Sequence, residues 1–329
     1  MPRHLRFQST EWSPHLITAR CTQGQGLLRP EGEVNALIAG ALARALEQHS
    51  GEVELHHYVF MSNHLHLLLS TRDAQAKARF MCHLSGNLAR ELCRYWRIRD
   101  HLWEGRYHSH ELLDEEALMD AYKYIFKNSV KEGLVSHPAE WPGLHGYAQL
   151  CAGAALVGRW LDRTRWGCAQ RTQRGLARGE AAYVREAPVV LVRPRCWGDW
   201  SEGEFRGRCE RWCAEAVQEA LELRVARLGE ARRLGGEREV CVRADELVSM
   251  GAEAVLAEPV FVARAPSRSP RPLCRAGCDR RFAEFLAGYG AFREAFLRVS
   301  ALVRGAVARG ERMPRVAFPL GGVPLYIGT

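Results

Sequence analysis

Tyr58-Val-Phe-Met-Ser-Asn-His-Leu-His-Leu-Leu-Leu69 is an apolar run with His64 and His66 inside it. Strand side chains alternate between faces, so residues two apart point the same way. His64 and His66 therefore present two imidazoles on one face, while Leu65, Leu67 and Leu69 go to the other. Two solvated histidines on the outer face of a strand satisfy this alternation. So does a pair of imidazoles sharing a metal ion, the commonest common partner for two such rings. The stretch alone leaves both readings open.

The flanking sequence places this strand in a sheet. Trp12 to Cys21 reads as a first strand, closed by the turn at Gly24 and Gly26. Pro30 opens a helix, with Glu31 and Glu33 in the first turn where the helix dipole favours them. Val34, Leu37, Ile38, Ala41, Leu42, Ala45 and Leu46 then follow with helical period, and Ser50-Gly51 ends it. Val53–Phe60 is a second strand, and a very short turn joins it to a third over 63–70 as an antiparallel hairpin. Asp73 to about Ile98 is a second long helix, and 101–113 is a loop running into a short strand. Asp114 caps a third helix that carries Glu115 and Glu116 in its first turn and ends at Gly133. This order predicts an α+β fold, an antiparallel sheet with helices on one face, the other face being left for a site.

Composition divides the 329 residues into two parts. The chain is longer than one typical domain. Residues 1–150 hold 16 Lys and Arg against 17 Asp and Glu, and residues 151–329 hold 30 against 21. The net charge of +8 therefore resides in the second half, which suits a polyanionic partner. All thirteen histidines lie between His4 and His145, which puts titratable and metal-binding chemistry in the first half. The eleven cysteines contain no CxxC pair, so a zinc ribbon or finger is not expected, and the thiols suit a reducing compartment. No run approaches a membrane span and no apolar leader stands at the N-terminus, so the expected location is the cytoplasm, at the nucleoid. The expected organisation is a histidine-bearing domain over 1–150, an Arg/Gly-rich linker over 151–180, and a mainly helical accessory domain over 181–329. Within the last, helices are expected from Ser201 to about Leu228, from Glu237 to Ala257 and from Cys278 to Ala308.

Tyr124, Asn128 and Lys131 fall on one face of the third helix. A tyrosine at helical spacing is ordinarily core, and a lysine near a helix end is ordinarily solvated. Asn, however, is a poor mid-helix residue and asks for a partner. An amide oxygen could complete a site already holding two imidazoles. Such a neutral set binds a divalent ion weakly and leaves positions for phosphate oxygens, which suits Mg²⁺ or Mn²⁺. A phenol, with a pKa of about 10, is a poor nucleophile at neutral pH. A metal-polarised phosphate would accept its attack, leaving a covalent phosphotyrosine. Lys131 could neutralise phosphate or ease deprotonation of the phenol.

These residues resemble a known family. Met61-Ser-Asn-His-Leu-His-Leu-Leu is similar to the M-P-N-H-hydrophobe-H-L segment of the HUH single-tyrosine transposases. Trp103-Glu-Gly-Arg-Tyr-His-Ser-His resembles their W-Q-x-R-Y-H-x-H. Tyr124-Ile-Phe-Lys-Asn-Ser-Val-Lys-Glu-Gly-Leu-Val135 resembles Y-I-H-x-N-P-V-(K/R)-x-G-L-V, and Trp141-Pro-Gly-Leu-His-Gly-Tyr147 resembles the W-P-x-S-S-Y that follows. The branch most resembled is that of the REP-associated tyrosine transposases, over about residues 12–150. Ser62 and Ser129 stand where the family has prolines, and Phe126 where it commonly has His. The resemblance implies a ferredoxin-like HUH nuclease core that nicks and rejoins single-stranded DNA at hairpins. It assigns His64, His66 and Asn128 as metal ligands and Tyr124 as the nucleophile.

The expected function is thus a metal-dependent strand-transferase on single-stranded or hairpin DNA. Arg90, Arg94, Arg97 and Arg106, with Lys131, are its candidate phosphate contacts, and aromatic side chains stack on bases. A protein that binds structured DNA without cutting it is the alternative, and an RNA-acting protein is a more distant one. Monomer and homodimer both remain open, as does use of Tyr124 with the histidine pair of its own or a second copy.

Overall fold

A computed structural model describes residues 7–171, 179–233, 273–309, 317–320 and 323–326. The first half runs β1 (Ser13–Arg20), α1 (Gly32–Gln48), β2 (Val53–Phe60), β3 (His64–Thr71), α2 (Ala74–Tyr95), β4 (His108–Leu112) and α3 (Glu115–Phe126). The central sheet has the order β2-β3-β1-β4, extended at the β4 edge by a short strand β7 (Cys274–Arg275). Pairing is antiparallel except for β4 with β7, which is parallel. Two crossover helices on a four-stranded sheet of this order make the domain ferredoxin-like and α+β.

Helices α1 and α2 pack on one face, as the sequence predicts. Leu65, Leu67 and Leu69 of β3 join Ile17 and Ala19 of β1 there, against Ile38 and Leu42 of α1 and Phe80, Leu84 and Leu88 of α2. Each fully buried Leu contributes about 1.5–3 kcal/mol relative to leaving it in water. Asp73 caps α2 by accepting from the Ala76 amide at 2.7 Å, and Asp114 caps α3 by accepting from Ala117 at 2.9 Å.

The opposite face is covered too. Leu118, Ala121, Tyr122, Ile125 and Phe126 of α3 pack on Leu16, Val59 and Leu68. Outside α3 lies the long helix Glu202–Arg233, whose Phe205, Cys209, Trp212, Cys213, Ala216 and Ala220 complete this second core. These positions recur every three or four residues, the stripe of an amphipathic helix. The face expected to be left for a site is therefore roofed, and the site lies at the end of the roof nearest His64.

Two further expectations meet a different structure. The third helix is broken at Lys127 (φ −79°, ψ −4°), and a single turn, α4 (Asn128–Lys131), follows. Gly133, at φ 80°, closes that turn. The expected linker over 151–180 contains a strand, β5 (Val157–Leu161), paired with β6 (Val184–Pro188), and a short helix, Arg163–Ala169. Strand β5 lies on α1 so closely that a Cβ on Gly158 would stand 2.1 Å from the Ala39 carbonyl oxygen. On α2, Lys77 is buried beside the His15 ring. The helix expected over 237–257 lies outside the described residues. No described helix is long and apolar enough to cross a membrane.

Candidate active site

Strand alternation sends His64, His66 and Leu68 to the roofed face, and the register sets Thr18 opposite His66 and Arg20 opposite His64. Each histidine has its Nδ1 tied down. His66 Nδ1 lies 2.9 Å from Thr18 Oγ1, and His64 Nδ1 lies 2.7 Å from Asn63 Oδ1. An amide oxygen only accepts, so His64 donates from Nδ1 and keeps the lone pair on Nε2. The two rings stand 5.0 Å apart, nearly perpendicular.

Helix α3 brings Tyr124 to this pair. Its Oη lies 3.3 Å from His66 Nε2, and the two ring centroids are 5.0 Å apart. One turn on, the Asn128 amide faces His64 and opposes the lowering of its pKa. Asn128 is almost fully buried, and its Nδ2 has no partner. The break at Lys127 resolves the oddity of this residue: Asn128 begins a new turn, where polar side chains are at ease, instead of sitting inside a helix. Lys131 Nζ lies 5.1 Å from the centre of the Tyr124 ring, and it also pairs with Glu132.

Burial, together with the charges of Arg20 and Lys131, pushes the His64 imidazole down to about 3. Burial also holds His66 well below the usual histidine range, with His64, Lys131, Arg20 and Arg275 adding to the effect. Both rings are therefore neutral at physiological pH, the form that ligates metals. The donor set fits a divalent ion: two neutral imidazoles oriented through their second nitrogens, and a buried amide with unused hydrogen-bonding capacity. Among the described residues no three His, Cys, Asp or Glu side chains gather to hold a metal. The pair with its amide is a different kind of set.

His64, His66, Tyr124, Asn128 and Lys131 are thus brought together. Arg90, Arg94 and Arg97 are not. They stand on or just beyond α2, on the other side of the sheet, with Arg90 bonded to Asn87 and Arg94 to Glu91. Arg106 belongs to the loop before β4. That loop runs beside Arg20, through the Glu104 amide to the Arg20 carbonyl at 2.9 Å. Four neighbours of the site escaped the sequence reading: Thr18, Arg20, Asn63 and Arg275. For Thr18 and Arg20 a signal was present, since both alternate with Ile17 and Ala19 and must share one face of β1. Arg275 had none.

The geometry defines an α+β domain with a phenol, two neutral imidazoles and an amide gathered at one end of its sheet. Residues 32–128 match the family described as Transposase IS200 like. Among solved structures, the chain is similar to a REP-associated tyrosine transposase bound to a REP hairpin. That match is at 16% identity with a TM-score of 0.38, over 46% of this chain and 86% of that one. It is also similar to a protein of Deinococcus radiodurans R1 described as a transposase, at 21% identity with a TM-score of 0.27, over 38% and 95%. No curated protein matches the chain.

Proposed function

We propose that this protein is a transposase, a metal-dependent endonuclease and strand-transferase of single-stranded DNA, acting at hairpin-bearing sites through a 5′-phosphotyrosine at Tyr124. The observation that carries the reading is the approach of Tyr124 Oη to within 3.3 Å of His66 Nε2, with the Asn128 amide facing His64 beside it. A core tyrosine has no need of two oriented, neutral imidazoles and a buried amide at its hydroxyl.

His64, His66 and Asn128 would hold a divalent ion, Mg²⁺ or Mn²⁺, which when bound polarises the scissile phosphate. Thr18 and Asn63 fix the two rings so that Nε2 of each faces the reacting region. Tyr124 Oη forms a bond to phosphorus, the P–O3′ bond breaks, and the 3′-oxygen leaves with a proton as a free hydroxyl. The phosphotyrosine keeps the energy of the phosphodiester, so attack by a 3′-hydroxyl can rejoin a strand without a nucleotide cofactor. Lys131, over the phenol ring, supplies positive charge to the phosphate oxygens. Arg106, in the loop that runs beside Arg20, would meet a strand entering there. Arg90, Arg94 and Arg97 would contact DNA only away from the reacting centre. The hairpin preference rests on the four sequence blocks shared with the REP-associated transposases.

The test uses end-labelled single-stranded oligonucleotides carrying the imperfect palindromes that flank the gene, incubated with the protein and Mn²⁺. A denaturing gel should show a protein–DNA adduct. Hairpin binding on a native gel without adduct or cleavage would turn the reading to a non-cleaving DNA-binding protein.

A further inference from the structure

Arg275 reaches the site from the far end of the chain. Strand β7 is fixed by backbone contacts: the Leu113 amide donates to the Arg275 carbonyl at 3.0 Å, and the Glu111 amide to that of Leu273 at 3.1 Å. Beyond it the Gly277 amide donates to Asp114 Oδ2 at 2.7 Å. Asp114 is also the cap of α3, so one carboxylate ties the β7 segment to the helix that bears Tyr124. Gly277 fits tightly, since a Cβ there would stand 2.9 Å from the Glu116 Cβ. The Arg281 guanidinium adds a bond to the Leu113 carbonyl at 2.9 Å.

With its backbone held in this way, Arg275 puts its guanidinium carbon 5.8 Å from the centre of the Tyr124 ring, in the range of a cation–π contact. Its side chain is half-buried. A cleft of about 330 Å³ opens beside it between α3 and the β7 segment, lined by Ala117, Asp120, Cys274, Arg275, Gly277 and Phe282. Asp120 is one helical turn before Tyr124 on α3. Among the described residues no carboxylate is paired with Arg275. A half-buried guanidinium that pairs with no carboxylate among the described residues, lining a cleft on the helix that bears Tyr124, is arranged to receive an anion.

We propose that Arg275 holds the scissile phosphate against Tyr124, so that the second half of the chain completes the active site. This rests on the reading of Tyr124 as the nucleophile. The planar guanidinium donates to two non-bridging oxygens of the phosphate and offsets the charge that grows on them as the O–P bond forms and the P–O3′ bond breaks. Arg275 remains protonated throughout. Lys131 approaches the same ring from α4, so the phosphate is met by one cation from each half of the chain.

The experiment follows adduct formation by the full-length protein under single turnover, with the same oligonucleotides and Mn²⁺. Arg275→Ala should slow it about 10²–10³-fold while hairpin affinity changes by less than about tenfold. Arg275→Lys should recover part of the rate, since the charge returns without the fork. Added guanidinium ion should accelerate the Ala variant and leave the wild type unchanged, which a merely structural arginine would not do. Adduct formation by Arg275→Ala within about threefold of wild type would overturn the inference and leave Tyr124 standing. So would a Lys variant as slow as Ala with no rescue by guanidinium. A wild-type protein that forms no adduct removes the nucleophile and this role together.

Discussion

One strand, β3, shows the two faces of the sheet doing different work. Leu65, Leu67 and Leu69 point toward α1 and α2 and are wholly excluded from water. Their immediate neighbours His64 and His66 point the other way, toward Tyr124 and Asn128. The apolar face is self-sufficient, needing only packing. The polar face is buried as well, yet it holds imidazoles kept neutral and an amide nitrogen with no partner. Beside them stands the Arg275 guanidinium, paired with no carboxylate among the described residues. These interactions are left incomplete in a way that a phosphate and a divalent ion would complete. The difference teaches where stability and chemistry separate, and substitutions one residue apart should separate them experimentally.

The largest effect is expected on the polar face. His66→Ala should lower the single-turnover rate of adduct formation by about 10³-fold or more, because it removes both a candidate ligand and the partner of the Tyr124 hydroxyl. Its unfolding free energy should fall by only about 1–2 kcal/mol, the worth of its hydrogen bonds. A His66→Ala protein that retains the wild-type rate would erase the distinction between the faces.

On the apolar face the sign of the comparison reverses. Leu67→Ala should cost about 2–5 kcal/mol of stability in a urea titration, since it opens a cavity in the α1–α2 core. The rate of adduct formation per folded molecule should stay within a few fold of wild type. A large loss of rate at full folding would show that the two faces are coupled.

Acid should weaken the roofed side through its buried histidines. Burial pushes His145 down to about 4 and holds His57, stacked against Tyr122, well below its usual range. In the unfolded chain each takes up a proton near pH 6.5. Below that pH the unfolded state binds more protons than the folded one, so stability falls as the pH falls from about 6.5 to about 4. Each such group contributes a slope of about 1.4 kcal/mol per pH unit in that window and nothing above pH 7. Urea midpoints that do not change between pH 7 and pH 5 would contradict this burial.

The smallest effect concerns α2. Replacing Arg90, Arg94 and Arg97 together by Ala should leave the rate of bound complexes within about twofold of wild type, because the sheet stands between them and Tyr124. If they touch DNA, the salt dependence of binding should become shallower by about 0.7 for each phosphate no longer neutralised. A collapse of the rate would place the reacting strand on the wrong face.

Much of this arrangement is legible in local sequence. The alternation of His64 and His66 with three leucines assigns the faces of β3 without any structure, and Asp73 and Asp114 announce their helices by side-chain chemistry. The spacing of Tyr124 and Asn128 brings both to one side although a break at Lys127 separates them, because that break barely disturbs the helical path. Long-range facts were not legible. The stripe from Phe205 to Ala220 shows that the later helix has an apolar face, but not that it roofs α3. Strand β5 hid in an Arg/Gly-rich segment because its glycine serves contact with α1, not flexibility. Arg275 lies in no motif, and only the pairing of β7 with β4 brings it to the site.

The central claim is that the Tyr124 hydroxyl, set among His64, His66 and Asn128, is the nucleophile. The most direct measurement compares wild type with Tyr124→Phe on end-labelled palindromic single strands, with Mn²⁺ and with EDTA, on a denaturing gel. The account predicts a covalent protein–DNA band for wild type with Mn²⁺ only, no band for Tyr124→Phe, and unchanged hairpin binding by both on a native gel. An adduct that persists in Tyr124→Phe, or one formed equally in EDTA, would contradict it.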